Sequence, residues 1–180
     1  MLRRNFGIEI ELTGITREKT ARTIATHLEG IMQKQGRNYK VVEPSGRIWE
    51  VVYDGSIKCQ RKINGQKASV GSEYSVEIVS PILTYERDIK SLQEMVRKIR
   101  IAGGFTNKTT GIHIHLDGEE HTPRSLRNFL NIIYSRNDLL YTSLEIERER
   151  MRYCKKTRIF GTKATIKAGI DIITTAGTTS

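Results

Sequence analysis

Two glutamates lie two residues apart in the segment "FGIEIEL", residues 6–12, whose other members are glycine and apolar residues. Side chains alternate between the two faces of a β-strand, so Glu9 and Glu11 would share one face and the isoleucines and leucine the other. A buried carboxylate without a partner costs roughly several kcal/mol. The glutamate face is therefore expected to be solvated, ion-paired by another segment, or occupied by a cation.

Two histidines repeat this spacing in "GIHIHLD", where His113 and His115 would share one face of a strand. Glu77 in "YSVEIVSP" and Asp54 in "YDGSI" add acids at strand positions or strand ends. Carboxylates favour hard cations such as Mg²⁺ or Mn²⁺, and a neutral histidine can complete the coordination of either. Taken singly, each of these residues also fits a polar strand face, and Glu77 also fits an ion pair with a lysine.

The elements that would position these residues alternate between strands and helices. Alternating patterns predict strands around Glu9, over residues 48–53, around Glu77 and around the two histidines. Apolar periodicity and capping residues predict helices over 18–35, from Thr84 to Gly103, from Thr122, and over 138–152. Asn64-Gly65 predicts a hairpin turn, and hairpins between neighbouring strands favour an antiparallel sheet. The predicted fold class is α+β, with an antiparallel sheet and helices packed on one of its faces.

Length and composition are typical of one globular domain. The 180 residues, of which 37% are hydrophobic, are enough to form one sizeable core. No apolar run reaches the roughly 18 residues of a membrane span, so no membrane partner is expected. Cys59 and Cys154 show no metal-ligand spacing, which is typical of free thiols in a reducing compartment. A cytoplasmic protein is therefore expected.

Positive charge is concentrated near the C-terminus. The net charge is +10, and from Arg150 onward seven basic residues accompany one acid, Asp171, which gives this segment +6 of the total. A basic segment can bind the phosphates of a nucleotide or of nucleic acid, although it is more often a solvated surface. Specific nucleic-acid binding is therefore an alternative function, but not the favoured one.

Five segments occur in order along the chain: "FGIEIEL", "WEVVYDGSI", "VEIVSPIL", "TGIHIHLD" and "RERMRYCKK". This combination resembles the amidoligase family, which is related to glutamine synthetase and glutamate–cysteine ligase. The resemblance covers roughly residues 5–158. It implies a fold like the catalytic domain of glutamine synthetase, with a catalytic core over 1–158 and a basic tail rich in small residues over 159–180.

The resemblance implies a reaction that joins a carboxylate substrate to an amine substrate, with ATP and Mg²⁺ or Mn²⁺ as cofactors. Peptides, proteins and cell-wall fragments are candidate substrates. The γ-phosphoryl group of ATP would pass to the carboxylate, and the amine would attack the resulting acyl phosphate. Such phosphoryl transfers depend mainly on positioning and on charge neutralisation. The identity of the substrates and the oligomeric state stay open.

The resemblance also assigns roles to individual residues. The implied metal ligands are Glu9, Glu11, Glu77 and His113. Glu11 and His113 would also lie against the ATP phosphates, and His115 would contact the carboxylate substrate or the acyl phosphate. The implied catalytic set is Glu9, Glu11, His115 and Asp54.

Three of the candidate residues have competing interpretations. Asp54 would orient the incoming amine or hold a water molecule, or it only caps the "DGS" turn. Arg150 and Arg152 would bind ATP and stabilise the transferring phosphoryl group, or they are exposed charges near a helix end.

The segment after Lys156 departs from the family pattern. Members of the family normally continue with strands that carry a further metal-binding glutamate and an arginine, in a motif like "TIEFR". Residues 157–180 contain no glutamate. We therefore expect little or no ligase turnover but retained metal and nucleotide binding, as in a truncated or compact family member, unless Arg158 or a second subunit supplies the missing arginine. Two alternatives to the ligase stay open: a metal- and nucleotide-binding protein without turnover, and a basic nucleic-acid-binding protein.

Overall fold

A computed structural model describes residues 5–118, 121–144 and 146 of the chain. Within this part, seven strands form one sheet and two further strands form a separate hairpin. The strands are β1 (Asn5–Leu12), β2 (Ile31–Gln35), β3 (Asn38–Val42), β4 (Ile48–Val52), β5 (Gln60–Ile63), β6 (Gln66–Ser69), β7 (Val76–Val79), β8 (Leu83–Thr84) and β9 (Ile112–Leu116). The helices are α1 (Arg17–Leu28), α2 (Tyr85–Ile101), α3 (Pro123–Ser135) and α4 (Asn137–Ser143). None of these helices combines the length and the apolar character that crossing a bilayer requires.

The central strand of the large sheet is β1. It pairs antiparallel with β7 on one side and with β9 on the other. Glu9, for example, lies opposite Val79 of β7 and opposite His113 of β9. Strands β4, β3 and β2 extend the sheet beyond β7, each antiparallel to its neighbour. The α+β class with an antiparallel sheet, predicted from the sequence, is thereby confirmed.

A bulge separates β7 from β8, which pair with the same edge of β1. From Glu9 to Phe6 the chain of β1 moves by three residues, whereas the partner segment moves by four, from Val79 to Leu83. The extra residue turns the side chain of Leu83 into the core, although Val79 projects from the opposite face. Ser80 fixes this bulge, since its N–H donates to Ile8 O (3.0 Å) and its Oγ accepts from Ile8 N–H (2.9 Å).

The hydrophobic core lies between one face of the sheet and the helices α1 and α2. Its most buried members are Ile15, Ala21, Ile24, Val41, Val51, Val76, Ile78, Leu83 and Met95. The strand residues among them alternate with polar or half-buried residues, as the period of a strand requires. The two helices therefore cover one face, and the glutamates of β1 project from the other.

The helix predicted over residues 18–35 is wrong in its second half. Helix α1 ends at Leu28, and Glu29 follows it in the left-handed conformation with φ of 53°. The chain then forms β2 and β3, which are joined by a two-residue turn that begins at Gly36 with φ of 59°. Met32 packs against the core from β2. Pairing with β3 thus overrides the helical periodicity, which is a weaker local preference.

Four other elements match their predictions. Strand β4 covers most of residues 48–53. Asn64 (φ 49°) and Gly65 (φ 80°) form the turn between β5 and β6, with the positive φ angles that a type I′ turn needs. Helix α2 begins after Thr84, and helix α3 begins after Thr122, whose side chain accepts a hydrogen bond from the first turn.

Gly14 should tolerate alanine poorly, and Gly46 is a matched control with nearly the same φ (88° and 86°). A Cβ at Gly14 would overlap the carbonyl oxygen of Gly103 and the ring of Phe105, whereas a Cβ at Gly46 would meet nothing within 4 Å. Gly14→Ala should lower the free energy of unfolding by about 2 kcal/mol, against about 1 kcal/mol for Gly46→Ala. Equal losses in urea denaturation would contradict this account of the close approach.

Candidate metal centre and active site

The sheet face opposite the helices gathers five of the predicted site residues. Directly opposite residues of an antiparallel pair project from the same face. Glu9 lies opposite His113 on β9, and Glu11 lies opposite Glu77 on β7. His115 follows His113 by two residues and therefore projects from the same face. Residues from three adjacent strands thus converge, although two of the strands are distant from β1 in sequence.

Glu9 lies at the centre of this group. Its Oε2 is 2.8 Å from His113 Nδ1, and its Oε1 is 3.0 Å from His115 Nε2. Burial favours the neutral acid, but the hydrogen bonds from the two imidazoles outweigh it and lower the pKa of Glu9 below its usual value. Glu9 is therefore ionised and accepts both bonds. A proton on Nδ1 fixes the tautomer of His113 in which Nε2 carries the lone pair that can bind a cation.

Glu77 is half-buried and, among the described residues, has no hydrogen bond or ion pair to neutralise it. Burial, followed by the negative charges of nearby carboxylates, of which Glu9 is the strongest, raises the pKa of Glu77 to about 7. A carboxyl group held beside other carboxylates without a counter-ion is stabilised in its charged form by a bound cation. Glu77 is therefore a candidate ligand for a bound cation.

Glu9, Glu77 and His113 each offer one ligand atom, and these atoms all lie within 4.8 Å of one another. Mg²⁺ and Mn²⁺ bind their ligands at about 2.1 Å, so opposite ligands are about 4.2 Å apart. Small side-chain rotations would close this difference. Two carboxylates and one imidazole suit Mn²⁺, and they suit Mg²⁺ when water completes its shell. The Glu9–Glu77–His113 cluster therefore fits a divalent cation.

Glu11 lies beside this cluster rather than in it. Its side chain is buried, and its Oε2 accepts a hydrogen bond of 2.7 Å from the N–H of Gly111. Its Oε1 is 3.8 Å from Nε2 of His113. The carboxylate thus fixes the start of β9 against β1 and adds negative charge next to His113.

His115 and Asp54 lie at the margins of the group. The side chain of His115 is 63% exposed, so it can meet a substrate from solvent. Asp54 accepts hydrogen bonds from the N–H (2.7 Å) and the Oγ (2.9 Å) of Ser56, which favours its interpretation as a turn cap. The N–H of Asp54 donates to Ser75 Oγ (3.0 Å), which holds the turn against the segment that leads to Glu77. Ser75 carried no signal in the sequence that would have identified this contact.

The basic candidates lie outside the described residues. This holds for Arg150 and Arg152, and also for the tail predicted over 159–180. The helix predicted over 138–152 is wrong in its middle part, because α4 covers only Asn137–Ser143 and neither Leu144 nor Ile146 is helical. Residues 147–152 lie outside the described residues.

Fold and site together define an α+β protein with a carboxylate–histidine cluster on one face of an antiparallel sheet. The model of the family described as "Putative amidoligase enzyme" matches residues 2–160, and the chain therefore belongs to this family. The family resemblance drawn from the five sequence segments is confirmed. Membership of this family indicates a ligase, without specifying its substrates or cofactors. No curated protein matches the chain.

Proposed function

We propose that the protein is an ATP-dependent carboxylate–amine ligase that uses Mg²⁺ or Mn²⁺. The observation that carries the proposal is the convergence of Glu9, Glu77 and His113, in which Glu77 has no neutralising partner among the described residues. Family membership supports the ligase chemistry. A fold like the catalytic domain of glutamine synthetase and a cytoplasmic location, where ATP is available, belong to the same proposal.

Each residue of the site would have a distinct task. A cation held by Glu9, Glu77 and His113 would neutralise phosphate oxygens and the charge that develops during phosphoryl transfer. Glu9 orients both imidazoles through its two hydrogen bonds. Glu11 would favour the cation through its buried negative charge, and the exposed His115 would hydrogen-bond the carboxylate substrate or the acyl phosphate.

The proposed reaction has two steps. An oxygen of the substrate carboxylate attacks the γ-phosphorus of ATP, which forms an acyl phosphate and releases ADP. The amine nitrogen then attacks the acyl carbon, the carbon–oxygen bond to phosphate breaks, and the amine loses a proton as the amide forms. Positioning dominates such transfers, so a rigid sheet is a suitable support for the site.

Cation binding should release a proton below neutral pH. Because the pKa of Glu77 is about 7 without a cation, its carboxyl is mostly protonated at lower pH and must ionise when it becomes a ligand. Titration with Mn²⁺ should release about one proton per ion at about pH 6 and much less at about pH 8. Calorimetry in buffers of different ionisation enthalpy measures this number. The same release at both pH values would show that Glu77 is not a ligand.

The experiment that tests the function is incubation of the purified protein with ATP, Mg²⁺ and pooled carboxylates and amines. The proposal predicts ADP release that requires both pools, together with a product whose mass is that of a carboxylate plus an amine less one water. Chelation of the cation should abolish both the ADP release and the product, and so should Glu77→Gln. Glu94→Gln, an exposed position on α2, is the matched control. ATP binding without ADP release would instead indicate a binding protein without turnover.

A further inference from the structure

A second charged site lies at the N-terminal end of α1. It is a cleft of about 490 Å³ whose charged lining residues are Arg17, Glu18, Lys34, Arg37 and Glu73. None of the lining residues belongs to the Glu9–Glu77–His113 cluster. We refer to this site as the Arg17 cleft. Its volume lies in the range of small-molecule sites.

Arg17 is the buried base of the cleft, with 6% of its surface exposed. Its guanidinium donates to three backbone carbonyls: Nε to Arg37 O (2.8 Å), and Nη1 to Ser72 O (2.6 Å) and Ser75 O (2.6 Å). In the part of the chain that the structure describes, Nη2 has no hydrogen-bond acceptor and no carboxylate pairs with Arg17. A buried charge is costly unless an opposite charge pairs with it. A bound anion would therefore stabilise this guanidinium.

A second guanidinium lies next to the first. The Cζ atom of Arg37 is 4.0 Å from the ring centroid of Tyr53, and that of Arg17 is 5.5 Å from the same centroid. The side chain of Arg37 is exposed and makes no hydrogen bond or ion pair within the described residues. Burial, and then the positive charge of Arg37, lower the pKa of Arg17. The two arginines thus repel each other, and within the described residues they share the ring of Tyr53 but form no ion pair with a carboxylate.

The acids of the cleft do not neutralise this pair. Glu18 forms an ion pair of 2.9 Å with Arg22 on the exposed side of α1. Glu73 is close enough to favour the charged form of Arg17, but it forms no ion pair with it. Lys34 adds a third cation at the rim. The cleft therefore presents more positive charge than its own carboxylates can compensate.

We propose that the Arg17 cleft binds the oxyanion group, a phosphate or a carboxylate, of a small molecule. Guanidinium groups form paired, charge-assisted hydrogen bonds with both kinds of anion. The open Nη2 of Arg17 supplies the buried donor, and Arg37, held in place on Tyr53, supplies the second. The proposal does not depend on the ligase reaction, because binding at the cleft can be measured without ATP or a divalent cation.

The alternative is that Arg17 only braces the backbone. Its three carbonyl bonds join α1 to the β2–β3 turn and to the segment before β7, which is a structural role in itself. Substitution of Arg17 would therefore disturb the fold whether or not an anion binds. Arg37 is the informative position, because its exposed side chain has no such bonds.

The test is a titration of the isotope-labelled protein with inorganic phosphate and, separately, with succinate, followed by amide chemical shifts. A chelator is present and the ionic strength is held constant, so that neither bound cations nor general screening contributes. Saturable shifts confined to residues 16–18, 34–37 and 72–75 are expected. Saturation by phosphate alone would identify a phosphate site, and saturation by succinate a carboxylate site. No saturable shift at these amides with either anion would overturn the proposal.

Variants separate specific binding from net charge. Arg37→Gln should weaken the saturating anion about tenfold, because one charge-assisted contact is lost, and Arg37→Lys should recover part of the affinity. Arg97→Gln, an exposed position on α2 with the same change of charge, should bind as the unmodified protein does. Equal weakening by Arg37→Gln and Arg97→Gln would reduce the effect to net charge and overturn the proposed site.

Discussion

Replacing Glu9 with glutamine is expected to weaken Mn²⁺ binding by at least about 100-fold and to abolish detectable ligase turnover. The substitution replaces a charged ligand with a neutral amide, and it leaves only one acceptor oxygen where two hold His113 at 2.8 Å and His115 at 3.0 Å. Loss of a residue that only orients a ligand already costs about 10- to 100-fold in metal affinity. Loss of a ligand that also orients a second one should cost more.

Calorimetric titration with Mn²⁺ measures this effect. Glu94→Gln makes the same chemical change at an exposed position on α2, on the other face of the sheet, and should leave the affinity unchanged. An equal affinity of Glu9→Gln and the unmodified protein would remove Glu9 from the metal centre. Equal losses in the two variants would indicate an effect of net charge.

Replacing Asp88 with asparagine is expected to lower the free energy of unfolding by about 3 kcal/mol at neutral pH. Asp88 is buried, and its carboxylate pairs with Arg47 (2.9 Å) and accepts from the N–H of Thr84 (2.7 Å). Arg47 also pairs with Glu43 at 2.9 Å, so the substitution disrupts a network of ion pairs next to the first turn of α2. Glu86→Gln, at an exposed position in the same helical turn, is the matched control and should cost much less.

The cost of Asp88→Asn should decrease in acid. Burial raises the pKa of Asp88, but hydrogen bonds from Arg87, the Thr84 N–H and Arg47 outweigh it and lower the value to about 2 from 3.8. Because the folded pKa is lower than the unfolded one, this contribution is complete above 3.8 and is lost as the pH falls towards 2. Urea denaturation at several pH values measures it. A difference between the two proteins that stays constant into acid would contradict the assigned network.

The sequence predicted the faces of the strands well. The period of two in "FGIEIEL" and "GIHIHLD" places Glu9 and Glu11 on one face of their strand, and His113 and His115 on one face of theirs, whatever the fold. Periodicity carries no information on which strands become neighbours. The pairing of Glu9 with His113 joins residues separated by 104 positions, and it depends on the packing of the whole sheet.

Errors in the predicted fold arose where local and long-range preferences disagree. Residues 31–35 continue the apolar period of α1, yet they pair with β3, which had not been predicted. Local propensity is a weak preference that pairing and core packing readily override. The hairpin at Asn64-Gly65 was predicted correctly because its backbone angles depend on those two residues alone.

Parts of the two sites were beyond sequence reasoning for a similar reason. Arg17 follows a capping threonine and would be expected at an exposed helix start. Its burial depends on carbonyl oxygens from two segments, near Arg37 and over 72–75, that approach it only in the folded chain. Likewise, Glu11 could be assigned to the site face, but its bond to Gly111 could not be foreseen.

The central claim is that a substrate carboxylate is activated by phosphorylation, and transfer of ¹⁸O tests it most directly. The protein is incubated with ATP, Mg²⁺, pooled amines and the carboxylates that support ADP release, labelled with ¹⁸O in the carboxyl group. Attack of the carboxylate on the γ-phosphorus, followed by displacement of phosphate by the amine, must carry one carboxyl oxygen into the phosphate. Mass spectrometry should therefore find phosphate with one ¹⁸O in step with amide formation. Phosphate released without the label would show that ATP is only hydrolysed, and would contradict the ligase assignment.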